Sequence, residues 1–452
     1  MRKVKREISR RKFLGGMGAT AAAFTIVPSH VLGAGGATPP SEKLNIAFVG
    51  VGGRGGANLK ETSDEEGVNV VALCDVDKDR LAQAATKFPD AKQYQDYRKM
   101  LDEMDKSMDA VVVSTPDHTH AVALIAAMKR RKHVYSEKPL AHSVQEIREL
   151  MKAARQYKVT TQLGNQGHSY PSIRTCCEWI WDGAIGNVHT VHAACGAINT
   201  GMNQIGRLKE EHPVPANLDW DVWLGPAQWR AYNPVYLPGK WRGWTPFGNG
   251  TIGDWVCHVV DPVFWALDLG APTTVEAQAK EYDPKLQADV FPRGSIIRFD
   301  FPAKGKRGPV TLIWYDGTEK MPRPEALDPN REVPGTGAIV LGDKGGITYG
   351  SHGASGVRIF PEEKMKAYQR PAEKLPRVKN HHADWLQAIR SGKPAGSDFS
   401  YGGPLTEIAL VGIVGIKMLG KKLEWDSAKM RFTNSDEANQ YLNPPYRQGW
   451  SL

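Results

Sequence analysis

Cysteine is scarce in this chain. Cys74, Cys176, Cys177, Cys195 and Cys257 are spread over 452 residues, and no C-x-x-C spacing occurs. An odd, sparse set excludes a disulfide framework, and the neighbours Cys176 and Cys177 would close only a strained bridge. Buried free thiols are expected, as in a chain that folds in a reducing compartment. No basic run with interleaved aromatics is present, which removes nucleic acid from the expected partners. The net charge of +9 does not restore it: seven cations against Glu7 place +6 within residues 1–34, leaving +3 for the rest. No internal repeat is visible. The apolar stretch from Gly15 to Val27 is too short and glycine-rich for a membrane span, so no stable membrane anchor is expected.

That stretch has a basic start, Ser9-Arg10-Arg11-Lys12-Phe13-Leu14, and is followed by Leu32-Gly33-Ala34. Residues 1–34 resemble a twin-arginine export signal with cleavage after Ala34. A periplasmic or extracytoplasmic location is therefore expected, reached by a protein exported folded with its cofactor already loaded. Residues 35–43, mostly Gly, Ala, Thr, Pro and Ser, read as a linker.

The most informative segment follows. The strand-like run Leu44–Val49 leads into Gly50-Val51-Gly52-Gly53-Arg54-Gly55, a helical stretch comes next, and a second strand ends at Cys74-Asp75. In this context G-x-G-x-x-G is a dinucleotide loop. Gly50 makes the tight turn, Gly52 admits the pyrophosphate, and Gly55 lets helix and strand approach. Backbone N–H groups at the helix start, through Gly53 and Arg54, then face the phosphates. Asp75, 25 residues after Gly50, is placed for the ribose hydroxyls and argues for NAD over NADP. A turn between strand and helix with no ligand is the plainer reading of the glycines alone.

Apolar runs at 44–49, 68–74, 109–113, 132–135 and 160–163 alternate with helical stretches at 55–64, 77–87, 117–130 and 143–157. This alternation predicts an α/β fold with an N-terminal Rossmann domain, a doubly wound parallel sheet, over residues 44–164. Residues 165–420 read as an α+β substrate and oligomerisation domain. It has strands near 188–195, 273–279, 295–301, 309–315 and 336–349, one long helix at 250–268, and helices near 380–391 and 403–420. Its sheet is expected to be largely antiparallel. Residues 197–246 form a long irregular connection of the kind that is usually functional. Residues 421–452 read as an irregular tail.

Three clusters carry chemistry. Ser114-Thr115-Pro116-Asp117-His118-Thr119-His120 ends one strand, Ser136-Glu137-Lys138-Pro139 ends the next, and Gly253-Asp254 precedes His258 by one helical turn. Strand ends of this kind line the ligand crevice, and residues at i and i+4 share a helix face. Together these motifs, in this order, resemble the Gfo/Idh/MocA oxidoreductase family from about Leu44 to Gly270, and more loosely through Gly337–Gly346. The resemblance implies a Rossmann domain, a second domain with an open sheet, an active site between them, and a homodimer or homotetramer assembled through that sheet.

It also implies roles. Lys138 corresponds to the active-site lysine, and Asp254 with His258 to the acid–base pair. His258 would take a hydroxyl proton as hydride leaves the carbinol carbon, and the Lys138 ammonium would hold the developing alkoxide. Asp254 would orient the imidazole or hold a neighbouring hydroxyl. Glu137 and Thr115 are expected at the nicotinamide-side ribose, with Pro116 and His120 shaping that wall. The stretch Leu163-Gly164-Asn165-Gln166-Gly167-His168 departs from the better-known members. Asn165 is expected to face the cofactor, and His168 to offer an extra imidazole to the substrate. Trp241 and Trp244 are candidate sugar-stacking faces, although the tryptophans equally suit a loop that needs apolar contacts. His168, Asp254, His258 and Asp261 match no metal motif, and no metal is expected.

These residues predict an NAD(P)-dependent oxidoreductase acting on a secondary hydroxyl or ketone of a sugar, cyclitol or glycoside. An alternative is a redox-neutral, NAD-dependent glycoside-cleaving enzyme that oxidises, eliminates and reduces back. A tightly held cofactor would suit that cycle outside the cytoplasm. A non-catalytic sugar- or nucleotide-binding protein is a third reading.

Overall fold

The computed structural model describes residues 43–452. The twin-arginine segment 1–34 and the linker up to residue 42 lie outside the described residues.

The first sheet is built from β1 (Leu44–Val49), β2 (Val68–Cys74), β3 (Lys92–Tyr94), β4 (Ala110–Val113), β5 (His133–Ser136) and β6 (Thr161–Leu163). All are parallel, in the order β3-β2-β1-β4-β5-β6. Strand order reverses between β1 and β4, and the ligand crevice of such a sheet opens at that switch point. The helices are α1 (Arg54–Ser63), α2 (Lys78–Ala85), α3 (Tyr97–Met104), α4 (Asp117–Lys129) and α5 (Val144–Tyr157). Asp77 and Asp96 cap α2 and α3, and Ser143 with Glu146 forms a capping box on α5. β3 and α3 were not anticipated: Lys92-Gln93-Tyr94 has no apolar run, and α3 is only two turns long.

The second sheet has nine strands: β7 (Val188–Cys195), β8 (Thr274–Gln278), β9 (Gly294–Phe301), β10 (Val310–Gly317), β11 (Thr336–Gly342), β12 (Gly345–Gly350), β13 (Arg358–Phe360), β14 (Leu423–Asp426) and β15 (Arg431–Phe432). Their order is β13-β12-β11-β7-β10-β9-β8-β14-β15, and only the β7–β10 pair is parallel. The helices here are α6 (Pro171–Trp181), α7 (Trp220–Leu224), α8 (Gly250–Val259), α9 (Asp261–Leu267), α10 (Glu362–Ala367), α11 (His381–Ser391), α12 (Phe399–Lys417) and α13 (Asp436–Asn439). The expected single helix at 250–268 is two helices. Pro262, in the first turn of α9, has no N–H to continue the ladder.

Two segments bind the lobes together. α11 returns to the first domain, where Trp385 and Leu386 join Ile46, Phe48 and Leu73 in one apolar cluster. α12 packs against α5, α8 and β8. Among the described residues it alone has the length and apolarity of a membrane span, but 83% of that window is buried in the fold. The tail is not irregular throughout. β14 pairs with β8, and Trp450 reaches back to lie tilted against Tyr97 of the first domain.

Candidate active site

The cradle starts at β1. Gly50 has φ +80°, and a Cβ there would lie 2.7 Å from the Ser114 carbonyl oxygen. A Cβ at Gly55 would lie 2.0 Å from the Gly50 carbonyl oxygen, so this glycine sits where helix meets strand. α1 has no side-chain cap and no acid in its first turn, so its N-terminal N–H groups are available to an anion. Asp75 stands at the end of β2. Its Oδ2 accepts the Val51 N–H at 2.9 Å and its Oδ1 the Asp77 N–H at 3.0 Å, which ties the acid to the glycine loop. Burial raises its pKa, and these backbone bonds oppose the rise.

From this cradle a cleft of about 1410 Å³ runs between the two lobes. A single drug-sized ligand occupies roughly 300–1,000 Å³, so there is room for a dinucleotide and a second molecule. Gly50, Gly52, Gly53, Arg54 and Asp75 line its first part; Thr115, Pro116, Glu137 and Lys138 continue it. Thr115 Oγ1 is buried with no hydrogen-bond partner, an orphan that a ribose hydroxyl would satisfy. Glu137 Oε1 accepts from Asn58 at 2.9 Å, Gln166 at 3.0 Å and Arg54 at 3.3 Å. Arg54 is further engaged by Glu61. The cradle, the acid and this orphan fit a bound NAD.

At the far end the second domain supplies α8. The Lys138 ammonium bonds Asp254 Oδ1, and the pair is largely buried, with side chains 11% and 17% exposed. Arg242 Nε donates to the same oxygen at 3.2 Å, and Asn199 Nδ2 to Oδ2 at 3.3 Å. Burial alone would lower the Lys138 pKa, but the carboxylates of Asp254 and Glu137 together outweigh it and the pKa rises. Burial alone would raise Asp254, and Lys138 with Arg242 holds it well below the carboxylate range. Both shifts favour the ion pair. Asp254 therefore anchors Lys138 rather than orienting the imidazole one turn away.

His258 lines the cleft, and its Nδ1 is buried without a partner. Burial, then the Lys138 charge and His352, pushes its pKa well below the usual value, so the ring is a neutral base. It stacks on His352, ring centroids 4.1 Å apart with the planes at 26°. Asp117, at the start of α4, also faces the cleft and accepts the Asn249 N–H at 3.0 Å. Burial raises its pKa to about 7.

Four expected site residues lie elsewhere. His168 is 2% exposed and outside the cleft. Its Nδ1 meets both Asp261 carboxylate oxygens at 3.1 Å, and its ring stacks on Trp265. Asn165 is fully buried in the same network, donating to Asp261 at 2.9 Å and accepting from Ser397 at 2.7 Å. It does not face the cofactor, because Asp261 would otherwise be a buried carboxylate with fewer donors. His120 sits behind the wall, each ring nitrogen 2.8 Å from a carbonyl oxygen, of Pro139 and of Thr115. Trp244, 1% exposed, belongs to the core of the long connection and donates to the Val235 carbonyl at 3.1 Å. Trp241 does line the cleft, with the Arg242 guanidinium 4.3 Å over its ring.

Sequence reasoning missed Arg242, Asn199, His352 and the role of Asp117. Arg242 stands between two of the singled-out tryptophans. His352 lies in Gly350-Ser351-His352-Gly353, a histidine next to glycine past a strand, and no spacing links it to the other motifs.

The sequence model described as "Oxidoreductase family, NAD-binding Rossmann fold" matches residues 44–165. That described as "Oxidoreductase family, C-terminal alpha/beta domain" matches residues 189–290 and 350–452. The chain belongs to the Gfo/Idh/MocA oxidoreductase family. A glycosyl hydrolase family 109 protein of Shewanella pealeana is 23% identical over 394 residues, covering 80% of this chain and 75% of that protein. An inositol 2-dehydrogenase of Salmonella paratyphi B is 32% identical over 112 residues, covering 24% of this chain and 33% of that one. The chain thus spans only a third of the length of that dehydrogenase. The solved aldose-aldose oxidoreductase of Caulobacter crescentus, complexed with glycerol, has a TM-score of 0.58 at 16% identity, covering 85% of this chain and 100% of its own. At that identity the likeness shows the fold.

Proposed function

We propose that this protein is an NAD-dependent oxidoreductase that interconverts a secondary hydroxyl and its ketone on a sugar, cyclitol or glycoside. The observation that carries this reading is the meeting of Lys138 from the first lobe with Asp254 and His258 from the second, in the cleft that starts at the dinucleotide cradle. NAD bound in the cradle supplies the hydride acceptor and donor. Lys138, kept charged by Asp254, holds the substrate oxygen as negative charge develops on it. His258, neutral, takes the hydroxyl proton during oxidation and returns it during reduction. Arg242 has further N–H groups for the remaining hydroxyls, and Trp255, which also lines the cleft, suits the C–H surface of a sugar ring. The Asp75 carboxylate repels a 2′-phosphate and favours NAD over NADP.

The family 109 relative supports a second reading, in which the hydride returns to the same molecule after a glycosidic bond has been cleaved. The twin-arginine motif supports export of the folded protein, where a retained cofactor would serve such a closed cycle. Assembly as a dimer or tetramer through the nine-stranded sheet is part of the same reading and rests on the family resemblance.

The first experiment is to denature protein recovered from the exported compartment and to identify released nucleotide by mass spectrometry. About one NAD(H) per chain supports the closed cycle. The second follows NADH formation with a panel of methyl glycosides and inositols, for the wild type and for Lys138→Ala. Turnover retained by Lys138→Ala overturns the assignment of the site.

A further inference from the structure

We infer that His352 is a second acid–base residue of this site, placed to exchange the proton on the carbon next to the carbinol that Lys138 and His258 serve. The inference deepens the oxidoreductase reading and rests on it.

The ring is carried into the cleft by the fold. A Cβ built on Gly167 would lie 2.4 Å from the Gly353 nitrogen, and one built on Gly353 would lie 2.1 Å from the Gly167 carbonyl oxygen. Only two glycines allow these loops to touch. Ser172 Oγ donates to the Gly353 carbonyl at 2.6 Å and fastens the contact. His352 itself has φ +55°, a left-handed conformation uncommon outside glycine, and residues held so concentrate at functional sites. Its Nδ1 meets Ser351 Oγ at 2.9 Å, while no hydrogen bond occupies its Nε2. The ring is half-buried and lines the cleft. Burial, with the charges of Lys138 and Arg54, lowers its pKa and keeps it in the base form.

The stacking sets the division of labour. Two imidazoles with centroids 4.1 Å apart reach neighbouring positions of one substrate ring better than they share one hydroxyl. Once the carbinol is a ketone, the adjacent C–H is acidic. That C–H bond breaks, its proton passes to His352 Nε2, and the electron pair forms the enolate C=C with negative charge on the oxygen held by Lys138. Return of the proton restores the ketone. Where an alkoxy group stands on the next carbon, the same pair instead expels it. Its C–O bond breaks, and the departing oxygen takes the proton from His352. Neither step needs an oxidant beyond the NAD already assigned. His168, buried on Asp261, cannot serve here.

The test uses full-length protein with NAD in D₂O, with methyl glucosides and myo-inositol as probes. NADH formation is followed optically, and deuterium at ring carbons by NMR. The wild type is expected to exchange the hydrogen next to the carbinol. His352→Asn, which tolerates the left-handed backbone, is expected to lose that exchange at least about 100-fold, with a less than tenfold fall in hydride transfer. NAD binding, read by tryptophan quenching, should stay within twofold. His352→Gln is the second variant. NADH formation by the wild type without exchange overturns the inference alone. So does wild-type exchange in both variants, or an equal loss of exchange and hydride transfer in both. Absence of NADH and of exchange with every probe overturns the oxidoreductase reading, and this inference with it.

Discussion

Lys138 and Asp254, 116 residues apart, form one ion pair across the cleft, and each pushes the other's pKa toward the charged state. The lysine is therefore a fixed cation, and His258, neutral in the same cleft, is available to accept a proton.

Asp254→Asn removes the charge that keeps Lys138 protonated. Burial then acts on the ammonium unopposed by this partner and lowers its pKa. The alkaline limb of kcat/KM is expected to move to lower pH, with kcat reduced on the order of 10²-fold, as for loss of one oxyanion donor. The measurement is a pH–rate profile of both proteins. An unmoved alkaline limb would show that Lys138 does not depend on Asp254.

Trp244 and Trp241 are expected to separate in their effects. Trp244→Ala empties a core position, which costs about 3–5 kcal/mol and is read as a lowered urea midpoint. Trp241→Ala removes a cleft wall and the face under Arg242, so its larger effect is a raised KM. Equal KM effects in the two variants would contradict the placement of Trp244.

Acid is expected to destabilise the fold from about pH 6.5 downward. Burial lowers His118 and His382 to about 3, and His142 and His381 to about 4. Unfolded histidine titrates near 6.5, so between that pH and about 4 the unfolded chain takes up protons that the native one refuses. Each histidine then contributes a loss of about 1.4 kcal/mol per pH unit. Asp117 and Glu146 near 7, and Asp316 near 6, act in the opposite sense over a similar window. His120, His258 and His352 shift in the same direction as the other histidines and tip the balance. The urea midpoint should be lower at pH 5.0 than at pH 7.5; an equal or higher midpoint would mean these rings are not buried neutral.

Much of this protein is local and therefore legible in its residue order. The Rossmann strands β1, β2 and β4 are mainly apolar runs, because a parallel strand covered on both faces is mostly apolar. The cradle is readable because a turn of φ +80° and a helix touching a strand both demand glycine at set positions. Lys138 is readable because it lies two residues past the end of a strand, and Asp254 with His258 because a helix repeats its face at four residues. β3 is not legible for the converse reason: Lys92-Gln93-Tyr94 is an edge strand with no apolar run. The histidines show where local reading ends. His168 and His352 carry the same ring, and nothing nearby in the chain separates them. One is drawn into the core because Asp261 needs donors there. The other is carried into the cleft because Gly167 and Gly353, on different elements, come into backbone contact. Trp241 and Trp244 both pack into the core of the long connection, and the fold alone decides that Trp241 also borders the cleft. Such choices depend on contacts between distant segments, which only the closed fold brings together.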